Sequence, residues 1–543
     1  MVRAVRLPLQ TQAESVAVLA RRGMLRPVRP DRLVRAGLAF HRWGTTPATA
    51  CVVNAITRPG RAAVIDSDGP VTWAELDRRT NALARGFAEL GLDAGERIGI
   101  LCRNGSALVE SVFASAKLGA HALMLNTSFS AAELKGVLDR EQPRILVHDE
   151  EFASIVGDAS PHGTKRVATG AALARLRDER LETPVDPPPE EGRMVILTSG
   201  TTGPPKGARI ARPSGLEPLA WYLSVVPINA GSMCLIPAPL YHAHGLGQFT
   251  IATALGCTVV LPRTFDAEET LALIERHRIE VMAVVPTMLN RIMDLDSATR
   301  RRYETSSLRV VVCSGSALDA RLARSFMEEF GPVLYNLYGS TEVAWATIAT
   351  PEDLLAAPGT AGRPPPHTRL EILDEAGHPL PPGSTGHIYV AHEMLFEGYT
   401  DPSKNRERVK GMLTPGDLGH VDEQGRLFID SREDDMIVSG GENVYPGQVE
   451  EVLRTHPDVA DAVVMGVEDE RFGQRLVAFV VPRPGSDLSE EEVLRFSREN
   501  LARFKVPRDV YMRDDLPRNA LGKVLRRELK TGEEEAEWRT KRL

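Results

Sequence analysis

The run MVILTSGTTGPPKG, residues 194–207, opens on an apolar segment of strand length and passes without a break into serines, threonines and glycines closed by Lys206. Glycines let the backbone turn tightly around an anion, hydroxyl and amide groups donate hydrogen bonds to it, and the lysine adds a positive charge. A strand feeding such a loop predicts a phosphate-binding device mounted on a sheet. It is not a Walker A sequence, because Lys206 is followed by Gly207 rather than by Ser or Thr. A flexible Ser/Gly linker would require neither the strand before the loop nor the lysine at its end.

On both sides of this loop, apolar segments of strand length at residues 97–101, 144–147, 281–285 and 308–313 alternate with amphipathic stretches of helix length. That alternation predicts βαβ units, hence an α/β fold with parallel sheets covered by helices. One helix is expected over residues 73–90, with Thr72 as N-cap and Glu75 placed as in a capping box, and another over 267–276. Residues 184–190 are rich in proline and acid and read as a linker, and 363–366 form a second proline cluster. Short alternating strands then follow at 369–373 and 386–390, predicting a smaller, mostly antiparallel subdomain. After Asp434 the pattern changes to helix 446–454, strands 461–466 and 475–481, and helix 489–501, a compact α+β domain. The expected divisions are a basic lead segment at 1–44, a large domain at 45–433 and a C-terminal domain at 434–543.

With 543 residues the chain exceeds what one hydrophobic core supports, so several domains are expected. A net charge of −8 gives no footprint for a nucleic-acid binder and leaves small molecules as ligands. The five cysteines show no CxxC spacing, which argues for a reduced, cytoplasmic protein without structural zinc. The first 44 residues hold nine arginines against Glu14 and Asp31, a local +7 that leaves the rest of the chain near −15. Their apolar patch at 16–20 is too short for a secretory signal, so the segment is expected to pack on the first domain, with a weak attraction to anionic membrane as the alternative. Between Glu217 and Arg263 no charged residue occurs, yet Pro227, Pro237, Pro239, Gly245, Gly247 and Gly256 interrupt the run. A buried strand-turn-helix-strand region explains it better than a membrane span.

Six further motifs follow in order: TWAEL (72–76), PLYHAHG (239–245), YGSTE (338–342), TPGDLG (414–419), SREDDMIVSGGENVYPGQVE (431–450) and PRNALGK (517–523). Together with the phosphate loop they make the sequence resemble the adenylate-forming superfamily of acyl- and aryl-CoA synthetases, nonribosomal peptide adenylation domains and luciferases. The resemblance covers residues from about 70 to 530. It implies a large N-terminal domain of two α/β subdomains with parallel-rich sheets plus a small β-barrel-like subdomain, and a small mobile α+β C-terminal domain. It also implies ATP-dependent activation of a carboxylic acid as its acyl-AMP, then transfer to coenzyme A, with ATP, magnesium and CoA as the small molecules used.

Residue by residue, the resemblance implies that Thr198, Ser199, Gly200, Thr201, Thr202, Gly203 and Lys206 cradle phosphate. Tyr338, Gly339 and Thr341 belong to the nucleotide site, Thr341 bonding the α-phosphate, while Glu342 holds magnesium, a hard cation that bridges phosphate oxygens. Gly315, Ser316 and Ala317 match the adenine-flanking turn only in part. Asp417 and Arg432 match the residues that hold the ribose hydroxyls, a surface ion pair being the alternative for Asp417. Lys523 matches the adenylation lysine, whose charge offsets the repulsion between carboxylate and α-phosphate. His242 matches a gating position between acyl pocket and CoA tunnel, a core histidine being the alternative, and His244 has no counterpart role. Asp434 matches the hinge, although Ser431 replaces the usual glycine before the hinge arginine, and Ser439, Gly440 and Gly441 match the CoA-binding loop.

The acyl pocket is expected around His242, Phe249, Val285 and Trp345, with chain length depending on how these and Ala346 close it. Residues 239–352 look most like bacterial fatty-acyl-CoA ligases, and the charge-free region supplies no cation for a second carboxylate. A medium- or long-chain fatty acid is therefore expected, ahead of aryl and dicarboxylic acids. An acyl-AMP ligase that loads a carrier protein is the rival class, and the sequence leaves monomer or homodimer open.

Overall fold

A computed structural model describes residues 9–25, 28–198, 206–405, 407–432, 437–439, 442–469, 473–501, 505–519 and 522–529. The chain divides into two compact units, the first built from residues 1–358, 364–369 and 391–407 and the second from 359–363, 370–390 and 408–543.

The first unit contains two large sheets. One has six strands in the order Lys165–Ala168, Ile145–His148, Arg97–Leu101, His121–Met124, Met194–Thr198 and Lys206–Arg209. Its first five strands run parallel and the last is antiparallel. The other has eight strands, in the order Thr347–Ala349, Leu334–Tyr338, Val310–Cys313, Val281–Val284, Met233–Leu235, Thr258–Val260, Ala62–Asp66 and Gly69–Thr72. Its six inner strands are parallel and both edge strands antiparallel. Inner strands such as Val281–Val284 and Val310–Cys313 are buried at every position, as parallel strands covered on both faces require.

Most expected elements are present with ends shifted by a few residues. Helix Trp73–Glu89 starts at Thr72, whose side chain accepts from the Glu75 amide. The reciprocal half of the capping box is replaced, because the Glu75 carboxylate turns forward to Arg79, one helical turn on. The charge-free region adds an unforeseen helix, Glu217–Val225, before the strand Met233–Leu235, the helix Ala243–Ala254 and the strand Thr258–Val260. The linker at 184–190 forms no helix or strand, and where it begins Arg85 donates to the carbonyls of Leu181, Thr183 and Pro184. The lead segment forms two helices, Leu9–Arg21 and Pro30–Trp43. It is tied down by Arg22, whose guanidinium donates to the Leu223 carbonyl at 3.1 Å and whose own carbonyl accepts from Ala230.

The second unit holds a four-stranded sheet, Arg369–Leu373, Gly386–Ala391, Asp417–Val421 and Leu427–Arg432. It also holds a sheet whose backbone is the long hairpin Val459–Asp469 with Gly473–Pro482. The short hairpin Ile437–Ser439 with Glu442–Val444 pairs at Gly473, and Asp509–Met512 adds a parallel edge. Helices Pro446–Arg454 and Glu490–Asn500 supply Val449, Leu453 and Val493 to its core with Val464, Ala478 and Val480.

Candidate active site

Phosphate-loop residues Ser199, Gly200, Thr201, Thr202 and Gly203 lie outside the described residues, as do Asp434, Gly440 and Gly441. The frame around the loop is described. Met194–Thr198 and Lys206–Arg209 form an antiparallel pair in which Thr198 stands opposite Lys206, so both ends of the loop are held together by one rung. The outer edge of Lys206–Arg209 is covered by residues 397–400: Thr400 donates to the Gly207 carbonyl at 2.7 Å, Arg209 to Gly398, and Glu397 to Arg209. Gly207 is required by this approach, since a Cβ there would sit 2.8 Å from the Thr400 hydroxyl and 3.1 Å from the carboxylate of buried Glu141. That carboxylate accepts from the Thr400 hydroxyl at 2.9 Å.

The same covering segment carries Tyr399. Its hydroxyl donates to Glu342 Oε1 at 2.6 Å, and Lys206 Nζ stands 5.5 Å from its ring centroid in cation–π geometry. The Phe396 amide donates to the Glu342 carbonyl. Tyr399 thus ties the lysine that closes the phosphate loop to the glutamate expected to hold magnesium. No sequence motif drew attention to it; the signal was Gly398, at φ +111, followed by an aromatic and an Asp-Pro turn.

Glu342 sits in the turn between Leu334–Tyr338 and Thr347–Ala349, opened by Tyr338 and closed by the Ala346 amide donating to the Tyr338 carbonyl. Gly339 admits that turn, for a Cβ there would lie 2.1 Å from the Ala344 carbonyl oxygen. Ala344 itself is held at φ +53, a left-handed conformation that a non-glycine adopts at a cost. Neighbouring parallel strands end on the same side. Val310–Cys313 leads into Ser314, Gly315 at φ +98, Ser316 and Ala317, and Val281–Val284 leads into Val285. Ligands of open α/β sheets bind at such carboxyl ends.

His242 is the N-cap residue of Ala243–Ala254, and its ring lies 4.5 Å from that of Tyr241. Its Nε2 is shielded from solvent without a hydrogen-bond partner, and desolvation lowers its pKa to about 4, so the ring is neutral at pH 7. His244 is likewise lowered to about 4 by burial, partly offset by the backbone of Val284 and Val312, which places it against two of the central strands. Trp345 stacks on His392 at 5.5 Å and meets Tyr222 at 5.9 Å. The tautomer of His392 is settled by its neighbours: Nε2 faces the Val343 and Trp345 carbonyls and donates, while Nδ1 accepts from the Met394 amide. Phe249 packs against Phe113 in the core, and Val285 is fully buried.

In the second unit Asp417 and Arg432 are direct cross-strand partners joined at 2.8 Å, with Asp417 buried. Lys523 lies in the turn PRNALGK, whose backbone closes between Asn519 and Lys523 and passes through Gly522 at φ +78. The turn is clamped on both sides by ion pairs. Arg518 reaches Asp461, Arg526 reaches buried Glu450 at 2.8 Å, and Arg454 joins the two acids at 2.9 Å to Asp461 and 3.6 Å to Glu450. Ser439, on the short hairpin, pairs through its backbone with Gly473.

Among the described residues no three His, Cys, Asp or Glu side chains gather as a metal cage. Glu342, with one oxygen steadied by Tyr399, fits magnesium nevertheless, because that ion keeps waters and phosphate oxygens and asks for one or two protein carboxylates.

The chain is similar to known proteins over most of its length. The family model for AMP-binding enzymes matches residues 52–400, and that for the AMP-binding enzyme C-terminal domain matches 448–523. Indoleacetate–CoA ligase of Aromatoleum aromaticum is 33% identical over 86% of this chain and 94% of its own, and 2-succinylbenzoate–CoA ligase of Geobacillus kaustophilus is 36% identical over 88% and 96%. A fatty acid–[acyl-carrier-protein] ligase, ScoC, of Streptomyces coeruleorubidus is 33% identical over 87% and 93%. Among solved structures, ATP-bound MatB from Rhodopseudomonas palustris superposes with a TM-score of 0.80 at 27% identity, covering 91% of this chain and 97% of that one. The chain belongs to the AMP-binding enzyme family and is an AMP-forming acid–thiol ligase.

Proposed function

We propose that this ligase joins an apolar monocarboxylic acid to coenzyme A in two steps. A carboxylate oxygen attacks the α-phosphorus of ATP and pyrophosphate leaves; the CoA thiol then attacks the acyl carbonyl of the acyl-AMP and AMP leaves. Lys206 and the loop before it take the phosphates, Thr341 the α-phosphate, and Asp417 with Arg432 the ribose. Glu342 would hold magnesium, which when bound neutralises phosphate charge. Lys523 offsets the repulsion between the two reacting anions. The observation that carries this reading is the Lys206–Tyr399–Glu342 constellation, which ties a phosphate-loop cation to a carboxylate suited to the nucleotide's metal. Neutral His242 serves as a gate rather than a base, since a ring with a pKa of about 4 and no orienting partner takes up protons poorly at pH 7.

For the acid, the absence of charge from 218 to 262 supports an apolar body and disfavours a second carboxylate. The expectation of a fatty acid rests on the likeness of residues 239–352 to fatty-acyl-CoA ligases and on that feature, which an aryl acid satisfies equally. Among the relatives, the name of the indoleacetate ligase points to an aryl acid and that of ScoC to a fatty acid, while succinylbenzoate carries the second carboxylate that this stretch disfavours.

The test is product analysis with ATP, magnesium, CoA and a panel of arylalkanoic, C8–C16 fatty and dicarboxylic acids. AMP and pyrophosphate should appear in step with one thioester. ADP and phosphate as primary products would overturn the adenylation reading, and transfer only to a holo carrier protein would replace CoA as the acceptor.

A further inference from the structure

The family models begin at residue 52, so the two N-terminal helices lie outside the catalytic family's own pattern. Helix Pro30–Trp43 buries Ala36, Ala39 and Trp43, spaced three and four apart, and Ala39 and Trp43 pack with Ala48, Val52 and Ile56. The opposite face should then be polar. Instead Val34, 63% exposed, and Leu38, 58%, lie on it, and Leu33, 61%, and Phe40, 38%, lie on the flank beside it. Six of the nine large hydrophobic side chains exposed among the described residues fall within residues 16–40, the other two of these being Val16 and Leu25. Such a concentration marks a surface that something covers.

The charge pattern says what. Arg35 and Arg42 line one side of the exposed apolar residues on the same helix, Arg29 precedes it, and the first 44 residues carry a local +7 while the remainder of the chain is near −15. The ion pairs of Arg29 with Asp31 and of Arg42 with Asp186 are solvent-exposed, so lipid phosphate can replace them at little cost. A second copy of this helix would set its own four arginines, Arg29, Arg32, Arg35 and Arg42, with only Asp31 against them, opposite the same net +3. An anionic bilayer meets both features at once, taking apolar side chains below the headgroups and arginines among them. No helix among the described residues is long and apolar enough to cross a membrane.

We propose that the Pro30–Trp43 helix seats this enzyme on an anionic membrane surface, Leu33, Val34 and Leu38 entering the headgroup region and the surrounding arginines pairing with lipid phosphate. The contact is reversible and salt-sensitive, each arginine near the surface strengthening it about fivefold. It does not depend on which acid the enzyme activates.

Co-sedimentation of the full chain with vesicles of phosphatidylglycerol and phosphatidylcholine, against pure phosphatidylcholine, tests it. Binding is expected only to the anionic vesicles, falling as salt rises, and dropping at least about tenfold in Leu33→Glu/Leu38→Glu. Arg35→Glu should lower it by several-fold, with circular dichroism and ligase activity in solution unchanged in both variants. Equal binding by wild type and the double variant would overturn the proposal. So would absence of binding, or a concentration-dependent dimer abolished by Leu33→Glu/Leu38→Glu, which would make the face an interface between copies.

Discussion

Tyr399 illustrates what a one-dimensional reading misses: its hydroxyl meets Glu342 across 57 residues of chain, and neither periodicity nor a local motif encodes that contact. What was legible was chemistry that is local in sequence. Thr72 caps its helix as its residue type suggested, and Gly315, at φ +98, takes a conformation that favours glycine. The capping box at Glu75 was half legible, because Arg79 one turn on competes for the same carboxylate. Tyr399→Phe isolates the hydroxyl, since the ring beneath Lys206 remains. A hydrogen bond to a charged group is worth about 1.5 kcal/mol, so adenylation should slow roughly tenfold. The apparent KM for magnesium-ATP should rise while the affinity for CoA stays level. Unchanged magnesium dependence would mean that Tyr399 only packs the edge strand.

Elements were legible where one face is apolar and another polar. Helix Pro446–Arg454 and strand Arg97–Leu101 have the bounds expected of them. Helix Glu217–Val225 went unseen because Pro218, Ala220, Trp221, Tyr222 and Leu223 are all buried, leaving no polar stripe to reveal a 3.6-residue period. The hairpin Val459–Asp469 with Gly473–Pro482 is longer than expected because pairing continues through polar rungs, Glu468 with Gln474 and Val467 with Arg475, where apolar alternation has ended. That hairpin carries the clamp around Lys523. Glu450→Gln keeps an acceptor for the Val464 amide but removes the charge facing Arg454 and Arg526. Leaving two cations short of a partner should cost about 1–3 kcal/mol of stability. Loosening the turn should slow adenylation several-fold, with thioester formation from supplied acyl-AMP unchanged. Equal losses in both half-reactions would reduce Glu450 to a structural role.

The order of motifs along the chain made the family legible, whereas the acid did not become so, because the walls of a pocket are drawn from segments far apart in sequence. The C-terminal domain raises a separate question of geometry. Lys523 sits in a turn anchored at Asp461, whereas Ser439 pairs with Gly473, which stands opposite Asp469. Eight residues of extended strand separate these anchors, roughly 25 Å at the usual rise. One fixed placement of the domain cannot bring both to the same reacting carbonyl, which supports the mobile C-terminal domain that the resemblance implies; we propose that it presents one end for adenylation and the other for thioester formation, pivoting near Asp434. Lys523→Ala should then separate the half-reactions. Loss of one charge aimed at the first transition state is worth roughly 3–4 kcal/mol, a fall of about 100- to 1000-fold in acyl-AMP formation. Synthetic acyl-AMP with CoA should still react at near the wild-type rate, as measured in single turnovers. Acetylation of Lys523 removes the same charge and should reproduce the split. Equal loss in both assays would show that Lys523 serves both steps from one position, and the pivot would have to be given up.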